Sequence, residues 1–189
     1  IADVNVNENA GTATVTFTLD NAVQGGFTVD ASTADGTATI ANSDYTAVTN
    51  QTVTFVGTAG ETQTLNLQGL GDTKVEADET FTISMTNVGF TSVDASDIDI
   101  TDVATYTILN DDSEFSITPL TASVVEGNSG NANLAYTITR NGNTSGAATV
   151  DYTITGEVDA ADFGGMLPSG TINFAANETS KTLVIVATG

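Results

Sequence analysis

The sequence predicts an all-β protein built as antiparallel β-sandwiches. Many short segments alternate apolar and polar residues, which is the pattern of a strand with one buried face. Turn-forming residues, mainly Gly, Asn and Asp, separate these segments at short intervals. No window of the 189 residues shows a convincing helical period. Together these three observations favour a sandwich of short strands.

Six segments in the first part of the chain carry the alternation. In Thr12–Leu19, Val15 and Phe17 belong to an apolar series that alternates with threonines. Threonine on the opposite face is typical of a half-buried strand whose outer face meets water. The five further predicted strands are Phe27–Ala31, Gln51–Phe55, Thr62–Leu67, Thr80–Met85 and Ala104–Leu109.

The chain also repeats its own motifs. A short segment around Glu8 resembles one around Glu126, and the segment that contains Asp44 resembles the one that contains Asp162. The two pairs have the same separation along the chain. A constant separation between ordered motifs indicates a tandem duplication.

The boundary between the two copies falls at Asp111–Ser113, directly after the last predicted strand of the first copy. We therefore predict a complete sandwich at residues 1–112 and a truncated second one at residues 113–189. The second copy stops without the acidic loop and the last two strands of the first, which would expose strand edges. Because the chain also lacks an initiating Met, we expect it to be part of a longer protein.

The charge balance excludes several classes of partner and reaction. The chain has 24 acidic and 3 basic residues, and its formal net charge is −21. Nucleic acids and anionic membrane surfaces need basic patches, so we expect neither as a partner. The sequence has no His and no Cys, which removes Ser-His-Asp and Cys-His catalysis. We therefore predict that the protein is not an enzyme. No apolar stretch is long enough to span a membrane, so we also predict that the protein does not insert into one.

The acidic residues concentrate at the ends of predicted strands. Like charges about 4 Å apart repel by roughly 4 kcal/mol at an effective dielectric near 20, so a fold that gathers strand ends needs a counter-charge. The chain supplies only Lys74, Arg140 and Lys181. A divalent cation held by oxygen atoms meets this need. Calcium fits better than magnesium, which demands tighter octahedral geometry, or zinc, which favours His and Cys.

Acidic loops can also serve solubility alone. That is our expectation for Asp94, Asp97, Asp99 and Asp102, which fall in a long connection between two predicted strands. Tyr45, in contrast, is expected to pack in the core beneath the loop that contains the neighbouring acidic residue.

Four ordered motifs resemble those of Calx-β domains. They are Glu8–Gly11, Asp35–Tyr45, Asp72–Phe81 and Thr107–Asp112. The resemblance spans the whole first copy and, in shortened form, the second. It implies an immunoglobulin-like sandwich of about seven strands that binds several calcium ions at one tip.

The same resemblance implies which residues hold the metal. In the first copy the expected ligands are Glu8, Asp44, Asp72, Glu76, Glu79, Asn110, Asp111 and Asp112, and the second copy retains Glu126 and Asp162. Gly71 and Asn110 stand where the family often has further Asp residues, so we expect fewer ions or weaker binding. The second copy lacks the later acidic segments, and we expect that it cannot complete a site alone.

These inferences lead to one leading function and two alternatives. We expect a calcium-binding structural or adhesive module of a larger extracellular, bacterial multi-domain protein, in which the ions stiffen the sandwich tip and the joint to neighbouring domains. The first alternative is a regulatory calcium sensor, the role that the family has inside membrane exchangers. The second is a fibre-forming or surface-adhesion module that self-associates, binds a cell-surface ligand or is completed by strands from another chain.

Overall fold

The computed structural model describes residues 1–89, 92–121, 123–125 and 129–189. These residues form two compact units, Ile1–Asp111 and Asp112–Gly189. Strands account for nearly all of the regular structure, and the helical segments among the described residues are three short 3-10 turns. No helix in this described part is long and apolar enough to cross a membrane. The predicted all-β class is confirmed.

The first unit contains two sheets. Its strands are β1 (Val4–Asn7), β2 (Thr12–Thr18), β3 (Phe27–Asp35), β4 (Gln51–Phe55), β5 (Thr62–Gln68), β6 (Glu79–Gly89) and β7 (Val103–Leu109). One sheet has the order β1-β7-β6-β3-β4, and β2 pairs with β5 in the other. All these pairings are antiparallel except that of β1 with β7, which is parallel. The sequence does not predict β1, because four residues are too few to show a strand period, and the parallel pairing of β1 departs from the predicted antiparallel arrangement.

The alternation in the sequence becomes the core of the first unit. Val15 and Phe17 of β2 are each 1% exposed and share one buried cluster with Phe81 and Ile83 of β6. The intervening threonines Thr16 and Thr82 are only half-buried, because successive side chains of a strand point to opposite faces. Each large apolar side chain buried in this way contributes about 1.5–3 kcal/mol, so the alternation fixes which face of each strand is inside.

A stack of three aromatic rings lies beneath one end of the first unit. The ring centroids of Tyr45 and Phe81 are 4.0 Å apart, and those of Phe81 and Tyr106 are 4.5 Å apart. Tyr45 is 2% exposed, as expected from the sequence, and its hydroxyl donates to Asp35 Oδ1 at 2.6 Å. Burial and the Asp35 carboxylate raise the pKa of Tyr45 to about 12. The stack thus fixes the residue that follows Asp44.

The second unit has fewer strands. They are β8 (Ser113–Pro119), β9 (Asn131–Gly142), β10 (Ala148–Thr153), β11 (Ser169–Phe174) and β12 (Ser180–Thr188). One sheet has the order β12-β9-β8, and β10 pairs with β11. Ile138, Phe174 and Ile185 are buried here, whereas Val184 is 50% exposed. The second unit therefore buries a smaller share of its apolar residues than the first.

Arg140 is buried in the second unit and is 5% exposed. Its guanidinium donates to the carbonyl oxygens of Asn143 and Gly146, both at 2.7 Å, and to Ser113 Oγ. A buried charge is tolerated only with such partners. This cation therefore holds the connection between β9 and β10 to the start of β8.

Candidate metal centre

Glu8 anchors one side of the site. It lies in a 3-10 turn, Glu8–Ala10, directly after β1, and it is 8% exposed. Its Oε1 accepts a hydrogen bond from the backbone N–H of Asp72 at 2.9 Å. A buried carboxylate needs such donors because an unpartnered buried charge is costly. Glu8 thereby fixes the start of the acidic loop, residues 70–78, which joins β5 to β6.

Gly71 allows the acidic loop to approach the Glu8 turn. A Cβ at position 71 would lie 2.6 Å from Asn9 Oδ1 and 3.1 Å from the carbonyl oxygen of Glu8. The resemblance alone indicates a lost charge at this position. The structure adds a steric reason for the glycine, since a Cβ here would displace the Asn9 side chain and make a tight contact with the backbone of the turn.

Hydrogen bonds fix the rest of the acidic loop. Asp72 Oδ1 accepts from the backbone N–H of Lys74 at 2.7 Å, and Asn110 Oδ1 accepts from the backbone N–H of Glu76 at 3.3 Å. The backbone N–H of Asn110 in turn donates to Asp78 Oδ1 at 3.0 Å. The loop is therefore held against the residues that follow β7.

Asp111 belongs to the same end of the first unit. Its Oδ1 accepts a hydrogen bond from Asn9 Nδ2 at 2.8 Å. Asp112 is the next residue in the chain and the first of the second unit, where its carbonyl oxygen accepts from the backbone N–H of Asn143 at 2.7 Å. The run Asn110–Asp112 thus connects the two units.

The turn after β3 presents Asp44. Its Oδ2 accepts a hydrogen bond from the backbone N–H of Thr39 at 2.7 Å. Gly36 passes so close to β6 that a Cβ there would lie 2.3 Å from the carbonyl oxygen of Thr80. The absence of a side chain at position 36 therefore lets the turn lie against the start of β6, beside Glu79.

Three carboxylates from two separate segments converge at this end of the unit. One oxygen each of Asp44, Glu76 and Glu79 lies within 4.8 Å of the other two, and all three residues are half-buried. We call these three residues the carboxylate cluster. The hollow beside it is lined by Glu8, Asp44, Leu70, Glu76, Ala77, Glu79, Ile108 and Asn110. The cluster therefore faces a space with polar and apolar walls.

The carboxylate cluster holds an excess of negative charge. Burial raises the pKa of Glu79 above its ordinary value, and the neighbouring carboxylates of Asp44 and then Glu76 raise it further. The Lys74 ammonium forms an ion pair with Glu76, but its side chain is 72% exposed. One exposed ammonium beside three carboxylates leaves the cluster without a full counter-charge.

The geometry of these donors fits calcium. Each calcium ligand lies about 2.3–2.6 Å from the ion, so two opposite ligands are about 4.6–5.2 Å apart. The oxygens of the carboxylate cluster, which lie within 4.8 Å of one another, can therefore share one ion. Glu8 and Asp72 also bring carboxylate oxygens within 4.8 Å of each other. All these donors are oxygen atoms, which is the chemistry that calcium prefers.

The structure brings the predicted first-copy residues Glu8, Asp44, Glu76, Glu79 and Asn110 to one hollow. Asp72 and Asp111 are hydrogen-bonded to residues of the Glu8 turn. In the second unit, Asp162 Oδ2 accepts from the backbone N–H of Asp159 at 2.9 Å, which is a local turn contact. Glu126 lies outside the described residues.

Sequence reasoning missed two contributors to this arrangement. It treated Lys74 only as a scarce cation, although Lys74 stands two residues from both Asp72 and Glu76. It also counted Asp78 among the acidic residues at strand ends but assigned it no role at the site, although its carboxylate accepts from the backbone N–H of Asn110. The close spacing of opposite charges was a usable signal for Lys74, whereas the sequence contained no signal for the Asp78 contact.

Comparisons with known proteins point to the same fold. The Calx-beta domain family matches residues 2–112. The crystal structure of the calcium binding domain CBD12 of CALX1.1 matches 98% of this chain and 73% of its own, with a TM-score of 0.53 and 23% identity. The crystal structure of CBD12 from CALX1.2 matches 99% of this chain and 75% of its own, with a TM-score of 0.53 and 21% identity. No curated protein matches the sequence.

An immunoglobulin-like sandwich with acidic loops gathered at one end defines the class of protein to which the first unit belongs. The family match covers more than half of the chain and includes every motif of that end. The chain belongs to the Calx-beta domain family.

Proposed function

We propose that the first unit binds calcium at its acidic end and acts as a structural module. The observation that carries the proposal is the carboxylate cluster, in which Asp44, Glu76 and Glu79 lie within 4.8 Å of one another and burial raises the pKa of Glu79. Calcium supplies the positive charge that these side chains lack. Loops that repel one another without metal are then held in one arrangement.

In this proposal the ligands form two neighbouring groups. Asp44, Glu76 and Glu79 form the first, and Glu8 and Asp72 form the second. Asn110 and Asp111 complete the set, and Asp112 is the next expected ligand along the chain. Because these last residues connect the two units in the chain, metal binding also stiffens the connection.

The larger setting we propose is an extracellular multi-domain protein of bacterial type, with this chain as a stiff spacer or adhesive segment. The acidic composition and the abundance of Thr, Asn and Gly support this setting. Its partners are neighbouring domains of the same protein and a ligand on a cell surface.

The direct experiment is thermal unfolding with and without calcium. A ligand present at 100 times its Kd stabilises the folded state by about 2.7 kcal/mol, so the melting temperature should rise with calcium and fall in excess chelator. Magnesium at the same concentration is the matched control and should stabilise less, because it demands a tighter octahedral site. An identical melt under all three conditions would contradict the proposal.

A regulatory calcium sensor is the second candidate. The likeness in fold to a calcium binding domain of CALX1.1 supports it, as does the electrostatic cost that metal would relieve at Glu79. Affinity separates the two roles, since sensors bind calcium at about micromolar concentrations and extracellular modules at about 0.1–1 mM. Calorimetric titration measures this difference.

Assembly through the second unit is the third candidate. Among the described residues, β10 pairs only with β11, and Val184 and Val186 of β12 are 50% and 42% exposed. Unpaired strand edges can accept a strand from another chain. Light scattering tests this role, because a monomer at all concentrations would exclude it.

A further inference from the structure

Lys74 is the only Lys or Arg in residues 1–111. Its ammonium pairs with Glu76, a member of the carboxylate cluster. The chain's other cations lie elsewhere: Arg140 is buried against backbone carbonyls of the second unit, and Lys181 pairs with Glu178 at 2.9 Å. The first unit therefore carries one cationic side chain, and it stands at the proposed metal site.

The backbone holds Lys74 at this position. Its N–H donates to Asp72 Oδ1 at 2.7 Å, and the N–H of Asp72 donates to Glu8 Oε1 at 2.9 Å. Glu76 is fixed independently, because its N–H donates to Asn110 Oδ1. Both ends of the ion pair are therefore anchored to separate parts of the site.

The electrostatic surroundings of Lys74 agree with this geometry. Its pKa is raised, first by the hydrogen bond and charge of Glu76 and then by Asp72 and Glu79. The ammonium thus interacts with three carboxylates of the acidic segment, and most strongly with Glu76. A calcium ion bound by Glu76 needs the carboxylate whose Oε1 the Lys74 ammonium contacts.

We propose that Lys74 competes with calcium for Glu76. The Lys74 ammonium pairs with the Glu76 carboxylate in the metal-free protein and is displaced when the calcium ion binds. This inference rests on the proposed calcium function of the carboxylate cluster. The displacement lowers the calcium affinity, since the ion pair must break first. The ion pair between Lys74 and Glu76 also stabilises the metal-free state, because the ammonium offsets part of the repulsion among the carboxylates.

One substitution at Lys74 should raise the calcium affinity and, at the same time, lower the stability of the metal-free protein. Lys74→Gln keeps a long polar side chain and removes the charge. We expect calcium to bind about two- to fivefold more tightly, the range for loss of an exposed ion pair, and the metal-free protein to melt at a lower temperature. A residue with a purely structural role would weaken both properties together.

The experiment is calorimetric calcium titration and thermal unfolding of the whole chain. Lys181→Gln is the matched control, because it makes the same change in net charge and also removes a Lys–Glu pair, and its affinity should stay at the wild-type value. Lys74→Arg keeps the charge and should retain the wild-type affinity. In addition, calcium should increase the acylation of the Lys74 amine by an amine-reactive label, measured by peptide mass spectrometry, relative to that of Lys181.

The outcomes separate this inference from the function on which it rests. Calcium binding by the wild type with equal or weaker binding by Lys74→Gln would overturn the competitor role alone. Unchanged labelling of Lys74 on calcium addition would overturn it as well. Failure of the wild type to bind calcium at all would overturn both proposals.

Discussion

Two acidic segments of the first unit have the same number of carboxylates, but pKa shifts in the two segments have opposite directions. Residues 72–79 and residues 94–102 each contain four Asp or Glu side chains. In the second segment, Asp94 accepts from the N–H and Oγ of Ser96, and Asp99 accepts in the same way from Thr101. These bonds lower the pKa of both Asp side chains.

In the first segment the balance is reversed. Burial and the carboxylate of Asp44 raise the pKa of Glu79, so its charged form is disfavoured in the metal-free fold. The contrast teaches that acidic content alone does not define a metal site. A site needs carboxylates that the fold brings together, whereas carboxylates satisfied by their own turn have no need of an ion.

The largest expected effect comes from the aromatic stack that supports Asp44. Phe81→Ala removes a ring that is fully buried between Tyr45 and Tyr106. We expect a loss of about 3–5 kcal/mol in the free energy of unfolding, because such a substitution leaves a cavity. Denaturant unfolding measures it, and Val56→Ala, at a 73% exposed position, is the control with little expected change. A loss below about 1 kcal/mol would show that the stack does not support this end of the unit.

The next effect concerns the cluster itself. Asp44→Asn keeps an acceptor oxygen for the Thr39 N–H and removes one charge. We expect calcium affinity to fall at least about tenfold, or about 1.4 kcal/mol, because ligand charge sets calcium affinity. Calorimetric titration measures the change. Since repulsion with Glu79 is relieved, the metal-free variant should be more stable than the wild type, and a less stable variant would contradict the electrostatic argument.

The pH dependence of stability tests Glu79. Because its pKa is raised in the folded state, the charged carboxylate opposes folding above that pKa, and this cost disappears as the pH falls toward the ordinary value of 4.5. Without metal, Glu79→Gln should therefore be more stable than the wild type at pH 8, and the difference should shrink as the pH falls.

Chemical unfolding of both proteins between pH 8 and pH 4.5 measures this difference. Calcium should reverse their order at pH 8, because the variant lacks a charged ligand. A metal-free wild type that is more stable than the variant at pH 8, and that loses this advantage as the pH falls, would show that Glu79 is stabilised as a carboxylate and would contradict the argument.

The smallest effect is expected in the other acidic segment. Asp99→Asn removes a charge that Thr101 already satisfies. We expect the calcium affinity to change by less than about twofold, because an exposed charge outside the site is screened by salt. A loss comparable to that of Asp44→Asn would mean that the contrast between the two segments is wrong.

The sequence predicted the features that depend on local pattern. Period-two alternation located β2 to β7 to within a few residues, because burial of one face imposes that period. It could not predict the parallel pairing of β1 with β7, since this pairing depends on contacts between the two ends of the first unit. Burial of Tyr45 was predictable because the acidic turn needs an apolar support.

The side-chain contacts at the site were harder to predict from the sequence. The family resemblance indicated Asp44, Glu76 and Glu79 but not that Lys74 pairs with Glu76, because a flexible side chain can choose among several nearby carboxylates. The steric reason for Gly71 was also hidden, since it depends on the Glu8 turn far away in the chain. Asp162 resembles Asp44 in sequence, and each carboxylate accepts a hydrogen bond from a backbone N–H of its own turn, but only Asp44 has Glu76 and Glu79 beside it among the described residues.

The most direct test is a crystal structure of the protein grown with calcium, with the metal located by anomalous scattering. The account predicts a peak among the oxygens of Asp44, Glu76 and Glu79, with metal–oxygen distances of about 2.3–2.6 Å. It also predicts that the Lys74 ammonium has left Glu76. A protein in which these carboxylates hold no metal at a saturating calcium concentration would contradict the account.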